Sequence, residues 1–307
     1  MKTRVGQRAE NEPLRAGKGW TAAHHGEFLQ GVFAEGRSLK RGLVSVPCSL
    51  HCSQASFTVT DATSVTVEPA WKAKAHRAAV LALRELGSPD LGGHLLIRED
   101  IPPGRGFGSS TCDVLAAMAA VQDAVGAALP TPVVSRLAVE AEQASDSLML
   151  GDRVALFAHR EGGVIEEFEG RLAPLEVIGF GTSSDGRGVD TLALPPARYS
   201  SWEIEAFRTL RAMLRNAVRN VDPEMLGRVA TASARLNQRH LPVKDFDCLE
   251  ELARQAGGVG VQVAHSGDVA GLLFDAEDPN VEERAEAASA LLTRHGITTT
   301  WRFRTDK

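Results

Sequence analysis

Between Asp100 and Val121 the chain reads "DIPPGRGFGSSTCDVLAAMAAV". Gly104, Gly106 and Gly108 strip side chains from alternate positions, Arg105 puts a cation between them, and Ser109, Ser110 and Thr111 follow at once. Bare backbone can approach an anion's oxygens closely, and the first N–H groups of a following helix point at that anion. The stretch Pro103–Thr111 therefore reads as a phosphate cradle, with Phe107 its one bulky member. Its spacing matches neither common phosphate motif: no Lys-Ser/Thr pair follows the last glycine, and the third glycine of G-x-G-x-x-G is lacking. A plain helix N-cap with a tight turn is the competing reading.

The elements around this loop follow from periodicity. "GLVSVPCSL" and "SFTVTDATSVTVEP" alternate at period two and predict strands; "GGHLLIRED" predicts another that delivers the chain into the loop. "AWKAKAHRAAVLALREL" carries apolar residues at helical spacing and closes at Gly87. "SSTCDVLAAMAAVQDAVGAAL" is apolar nearly all round, as a buried helix is, and Pro130 and Pro132 end it. "VVSRLAVEAEQAS" makes one more helix, and "RVALFAHREGGVIEEF" two strands about a Gly-Gly turn. Beyond Leu172, "LEVIGFG" predicts a strand. Three helical segments, strands "GVQVAH" and "VAGLLFD", a helix "VEERAEAASALLTRHG" and a last strand "TTTWRFR" follow. With the helical block collapsed, the order is β-α-β-β-α-β, that of a ferredoxin-like sandwich. The expectation is an α+β protein of two domains, residues 1–171 and 172–307.

A chain of 307 residues with 43% hydrophobic and 24% charged residues has the composition of a soluble globular protein. Its net charge of -5 argues against general nucleic-acid affinity. No run is long enough to span a bilayer, and the polar first residues lack the apolar core of a signal peptide. Four scattered cysteines in so long a chain read as reduced thiols, and a cytoplasmic location is expected. Cys48, His51 and Cys52 could form half a zinc site, but no second pair lies nearby, so a half-buried strand is the preferred reading.

"IPPGRGFGSSTCD" resembles the second motif of the GHMP kinases, the superfamily of galactose, homoserine, mevalonate and phosphomevalonate kinases. Within it, the likeness is nearest to the L-threonine kinases of propanediol utilisation and cobalamin synthesis. "TAAHHGEFLQG" (21–31) resembles their Pro-Ala-Ser-Cys-Gly-Glu-Leu-Ile-Gln-Gly segment. "QASDSLML" (143–150) resembles their Glu-Pro-Thr-Asp-Ser segment, and "GVQVAHSGDVAGLLFD" (260–275) their third motif. The chain departs from that pattern: Thr21 and His25 stand at expected cysteines, His24 at the serine, Arg105 at a lysine, and Gln143 and Ala144 at Glu-Pro. The resemblance implies an N-terminal ribosomal-protein-S5-domain-2-like domain followed by a ferredoxin-like domain.

It also implies ATP and Mg²⁺ as cofactors and a hydroxylated amino acid as substrate. Ser110 would reach magnesium, with Glu142 as the carboxylate ligand. If the helix continues, Glu142 and Asp146 share a face whereas Glu140 points elsewhere. Asp146 would act as general base or orient the attacking hydroxyl, or else cap a turn between Ser145 and Ser147. Arg105 would supply positive charge to the reacting phosphate. His25, Glu27 and Gln30 fall on the substrate side, Glu27 toward an ammonium group, with His24 beside them. The turn His265-Ser266-Gly267, otherwise a plain hairpin, lies across the cleft, and the polar loop with Asp190 and Thr191 also fits the substrate side. The function implied is phosphorylation of an amino-acid hydroxyl, L-threonine first. Homoserine, serine and natural-product precursors stand as alternative acceptors, a non-catalytic sensor as the alternative class, and a homodimer is compatible with either.

Overall fold

The computed structural model describes residues 15–102, 105–182, 197–265 and 268–306. Its frame is a hairpin of two long strands, β1 (Ala16–Glu35) and β2 (Ser38–Val59). β2 pairs antiparallel with β4 (Gly93–Glu99), which in turn pairs in parallel with β3 (Val65–Glu68) through the crossover helix α1 (Ala73–Glu85). The first run and the start of the second, to Val59, are one strand, β2; the rest of the second run turns and holds β3. β1 was not legible as a strand because residues 23–29 are buried on both faces, which erases the alternation that marks a half-buried strand.

Helix α2 (Ser109–Val125) lies across this hairpin and buries most of its circumference, including Cys112, Val114, Leu115, Met118 and Val121. It is followed by α3 (Thr131–Glu142), a 3-10 turn (Ser147–Leu150), and the short strands β5 (Ala155–Ala158) and β6 (Gly163–Glu167). The remaining elements are β7 (Leu175–Gly181), α4 (Ser201–Asn220), α5 (Pro223–Asn237), α6 (Phe246–Gln255), β8 (Gly260–Val263), β9 (Val269–Asp275), α7 (Val281–Arg294) and β10 (Thr300–Arg304). Their spatial order is β10-β7-β9-β8, all neighbours antiparallel, which is the ferredoxin-like arrangement expected from the chain order.

β8 also pairs with β1, at Glu27 and Val263, so one sheet runs β10-β7-β9-β8-β1-β2-β4-β3 through both halves. The largest core cluster bridges them as well: Phe28, Phe33 and Val46 pack with Phe207, Leu226, Val269 and Phe303. The β1–β2 register slips between Ala22 and Ala23 and twice more between His24 and Leu29. Such irregularities re-aim side chains, and these fall on the residues that build the site.

The contact of α2 with β1 depends on missing side chains. A Cβ on Gly19 would sit 2.0 Å from the Ala116 carbonyl oxygen, and one on Gly17 2.2 Å from the Ala124 nitrogen. Gly19→Val is therefore expected to push α2 off the strand and destabilise the protein by about 3 kcal/mol. The exposed Leu39→Ser should change stability little. Urea unfolding of both variants checks this, and equal midpoints would refute the close approach.

Candidate active site

Helix α2 opens with Gly108 as its N-cap, in the left-handed region at φ 73°. The first intrahelical bond runs from the Cys112 N–H to the Gly108 carbonyl at 2.9 Å, so the amides of Ser109, Ser110 and Thr111 precede the ladder. No side chain caps this end. Such a terminus carries partial positive charge and unused donors.

Two carboxylates converge on the same turn. Ser110 Oγ donates to Glu142 Oε2 at 2.7 Å, and Thr111 Oγ1 lies 2.9 Å from Glu142 Oε1 and 3.1 Å from Asp146 Oδ2. The Asp146 N–H in turn lies 3.3 Å from Thr111 Oγ1. The helix does not continue from Glu142 to Asp146. α3 stops at Glu142, Gln143 takes φ 73°, and Asp146 is extended at the start of the 3-10 turn. The loop brings the two acids together where a shared helix face was expected to. Glu140 stays on the outer face, paired with Arg136.

His24 holds Asp146. Its Nε2 lies 3.0 Å from Asp146 Oδ2, its backbone N–H donates to the Phe107 carbonyl at 3.2 Å, and both side chains are buried. Burial opposes charge on His24, but Asp146, and less strongly Glu27 and the Gly26 carbonyl, outweigh it and raise the imidazole to about 9. Burial likewise disfavours the Asp146 carboxylate, yet His24, assisted by His265 and His159, holds it far below the usual carboxylate range. The pair is thus ionised at neutral pH. Gly108 must be glycine for this reason too: a Cβ there would fall 2.3 Å from His24 Cδ2 and 3.2 Å from Asp146 Oδ2.

On the other side, Glu27 receives the His265 N–H at 2.8 Å and the His265 Nδ1 at 2.7 Å. Burial lowers the His265 pKa, and Glu27 and Asp146 more than reverse that. Both Glu27 oxygens are therefore engaged within the protein, not turned to an ammonium group as expected. Arg105 reaches the same turn from the glycine loop, its Nε 3.4 Å from Asp268 Oδ1. Among the described residues, the metal-ligating atoms that gather are those of His24, Glu27 and Asp146; Cys48 and Cys52 join no such group.

Other expected residues take structural places. His25 is fully buried: Trp301 donates to its Nε2 at 3.0 Å, and the Gln262 amide meets its Nδ1. Burial, then the neighbouring His24, lowers its pKa to about 3, so the ring is neutral. Since Nε2 accepts from Trp301, Nδ1 carries the proton, and the Gln262 carbonyl is the end that faces it. His25 is packing, not a substrate contact. The Phe107 ring is enclosed by His25, His51 and Trp301, leaving only its backbone to face a ligand. Gln30 is half-buried, with its backbone tied to Ser233 and Asn237 of α5. Pro103, Gly104, Asp190, Thr191, Ser266 and Gly267 lie outside the described residues.

Three features went unread in the sequence. His24 was seen only as a neighbour of the substrate side, although a histidine at the family's serine position was a signal. Lys72, at the N-cap of α1, is buried against Glu99 and lies 2.5 Å from Asp113 Oδ2, while Ser53 donates to Asp113 Oδ1 at 2.7 Å. His159 stands beside His265, ring centroids 5.6 Å apart.

An uncapped helix start, a glycine turn and a buried pair of acids are features that suit a protein to holding a polyphosphate beside a hydroxyl. Comparison with known proteins agrees. Residues 73–159 match the family model described as the GHMP kinases N terminal domain. The L-threonine kinase of Citrobacter freundii is 29% identical over 207 residues, 67% of this chain and 69% of that protein. That of Salmonella typhimurium is 26% identical over 200 residues, 65% and 66%. In structure, the homoserine kinase of Cytophaga hutchinsonii superposes with a TM-score of 0.65 at 16% identity, covering 98% of this chain and 96% of that one. The mevalonate kinase of a methicillin-resistant Staphylococcus aureus gives 0.61 at 17% identity, covering 94% and 98%. Through residues 73–159 the chain is similar to the N-terminal domain of the GHMP kinases, and it has the α+β fold of those kinases.

Glu142 carries a measurable consequence. Burial, reinforced by Asp146, outweighs its bonds to Ser110, Thr111 and Ser145 and raises its pKa to about 7. The folded protein thus binds this proton more tightly than the unfolded chain does. Its contribution to stability falls as pH rises from about 4 to 7 and is level above that. Glu142→Gln, unfolded in urea with EDTA present, is expected to exceed the parent by on the order of 2 kcal/mol at pH 8 and to match it near pH 4.5. A gap independent of pH would contradict the assignment.

Proposed function

We propose that this protein is an ATP-dependent kinase whose acceptor is the side-chain hydroxyl of a small amino acid, L-threonine foremost, giving O-phospho-L-threonine. One observation carries the reading: the first turn of α2, which no side chain caps, touches Asp146 through the Thr111 hydroxyl, and His24 keeps that carboxylate ionised. The similarity to proteins named L-threonine kinase supports the acceptor.

In this reading the backbone from Arg105 through Gly106, Phe107 and Gly108 to Ser109, Ser110 and Thr111 wraps the triphosphate, and the helix dipole offsets its charge. Ser110 and Glu142 are an oxygen donor pair of the kind a hard cation selects. The raised Glu142 pKa marks a buried carboxylate that a cation would neutralise. Magnesium bound there would offset charge on the phosphate oxygens. Arg105 adds a planar cation at the cleft between the glycine loop and the His265 turn.

A carboxylate held so far below its ordinary pKa is a poor proton store, so Asp146 orients the acceptor. It accepts a hydrogen bond from the hydroxyl and aims its oxygen at the γ-phosphorus. As the O–P bond forms, the bond to the β-phosphate oxygen breaks and ADP leaves, while the hydroxyl proton is lost late, to a phosphoryl oxygen or to water. A loose transition state suits this order, because the attacking oxygen gains little charge early. Glu27 acts through His265, fixing the turn across the cleft.

The test is ADP release with ATP and Mg²⁺ across L-threonine, L-homoserine, L-serine and non-amino-acid alcohols. L-Threonine is expected to give the highest kcat/KM. Asp146→Asn should lower kcat by about 10²- to 10⁴-fold with the KM for ATP little changed. Turnover confined to sugars or mevalonate-like acids removes the amino-acid acceptor. Tight ATP binding with no turnover on any alcohol removes the kinase.

A further inference from the structure

The site holds one imidazole that the mechanism does not use. His159 ends β5, and its carbonyl accepts the Ser145 N–H at 2.8 Å, so it is fixed to the residue next to Asp146. Its ring lies beside His265 and interacts electrostatically with Asp146. Its Nδ1 is buried and has no hydrogen-bond partner among the described residues. A buried polar atom without a partner costs free energy, which a ligand that supplies one recovers.

The ligand's charge follows from the surroundings. Burial first, then the positive charge of His265, and with it Arg160 and Arg41, lowers the His159 pKa to about 3, with Asp146 opposing. The ring sits where cations from three elements superpose their fields: His265 after β8, Arg160 after β5 and Arg41 on β2. An anion that accepts from Nδ1 there gives that atom a partner and answers the charges of His265, Arg160 and Arg41.

We propose that His159, with His265 beside it, forms the subsite for the acceptor's α-carboxylate, and so selects amino acids over uncharged alcohols. This rests on the amino-acid reading above and adds a residue to it. A carboxylate oxygen accepts from His159 Nδ1–H while the side-chain hydroxyl of the same molecule reaches Asp146.

The experiment compares L-threonine with threoninol, which has a hydroxymethyl group where L-threonine has its carboxylate. The parent protein is expected to favour L-threonine by tenfold or more in kcat/KM. His159→Ala should raise the KM for L-threonine at least tenfold, leave kcat within about twofold, and leave threoninol unaffected. His159→Asn, which keeps a donor near the Nδ1 position, should recover part of the lost affinity. Equal losses on both acceptors, or no preference in the parent, overturn the subsite and leave His159 as a support for the Ser145–Asp146 loop. Should the parent phosphorylate no amino acid, the functional reading fails first. The ¹⁵N resonances of the His159 ring then decide the subsite separately, by shifting on titration with acetate or remaining still, the latter refuting it.

Discussion

The ion pair between His24 and Asp146 is the constraint around which the site is arranged. Both groups are buried, and neither is tolerable there alone, because removing one partner leaves an uncompensated charge. A buried pair adds little net stability against an apolar alternative, so its worth lies in what it specifies. It specifies a carboxylate of fixed charge and fixed direction at the mouth of the glycine turn. The pair also explains its neighbours: Gly108 lacks a side chain because the imidazole occupies that volume, and Thr111 lends its hydroxyl to both acids, keeping Glu142 and Asp146 from meeting directly.

The same strand holds the other half of the cleft. Over four residues of β1, His24 grips Phe107 and Asp146, and Glu27 grips His265, with the register slips turning these side chains out of simple alternation. β1 is moreover the strand that joins the two halves of the sheet, to β2 along its length and to β8 at Glu27. The glycine loop, the Asp146 loop and the His265 turn are therefore referenced to one backbone. Errors of a fraction of an ångström matter in phosphoryl transfer, and a single rigid reference keeps them small.

Much of this was legible in the sequence, and the failures have physical causes. The glycine loop and the helix behind it show themselves because backbone approach demands a composition that few other tasks require. The ferredoxin-like half is readable because its strands and helices alternate with ordinary periodicity. β1 was hidden because burial on both faces removes the signal by which strands are read. Glu142 and Asp146 were paired for the wrong geometric reason: α3 ends between them, and a left-handed Gln143 performs the turn that helical spacing was expected to supply. His25 departs in the opposite sense, since a polar ring in a motif suggests contact with a ligand, whereas here its packing against Trp301 accounts for it, as it does for the Phe107 ring. Such roles depend on residues hundreds of positions apart, which spacing does not encode.

The network on the far side of α2 completes the argument. Asp113 lies two residues beyond Thr111, hence on a different face of the helix, and Lys72 and Ser53 hold it there while Glu99 shares the lysine. One turn of helix is thus gripped from opposite sides, by Glu142 and Asp146 through hydroxyls and by α1 and β2 through Asp113. A helix start so fixed cannot rotate to follow a ligand; its amides are aimed before anything binds. Preorganised dipoles stabilise developing charge more than mobile ones because no reorganisation is needed at the moment of reaction. Under the proposed function, the Lys72 network would bear on phosphate binding without touching phosphate, by denying α2 the freedom to turn its donors away.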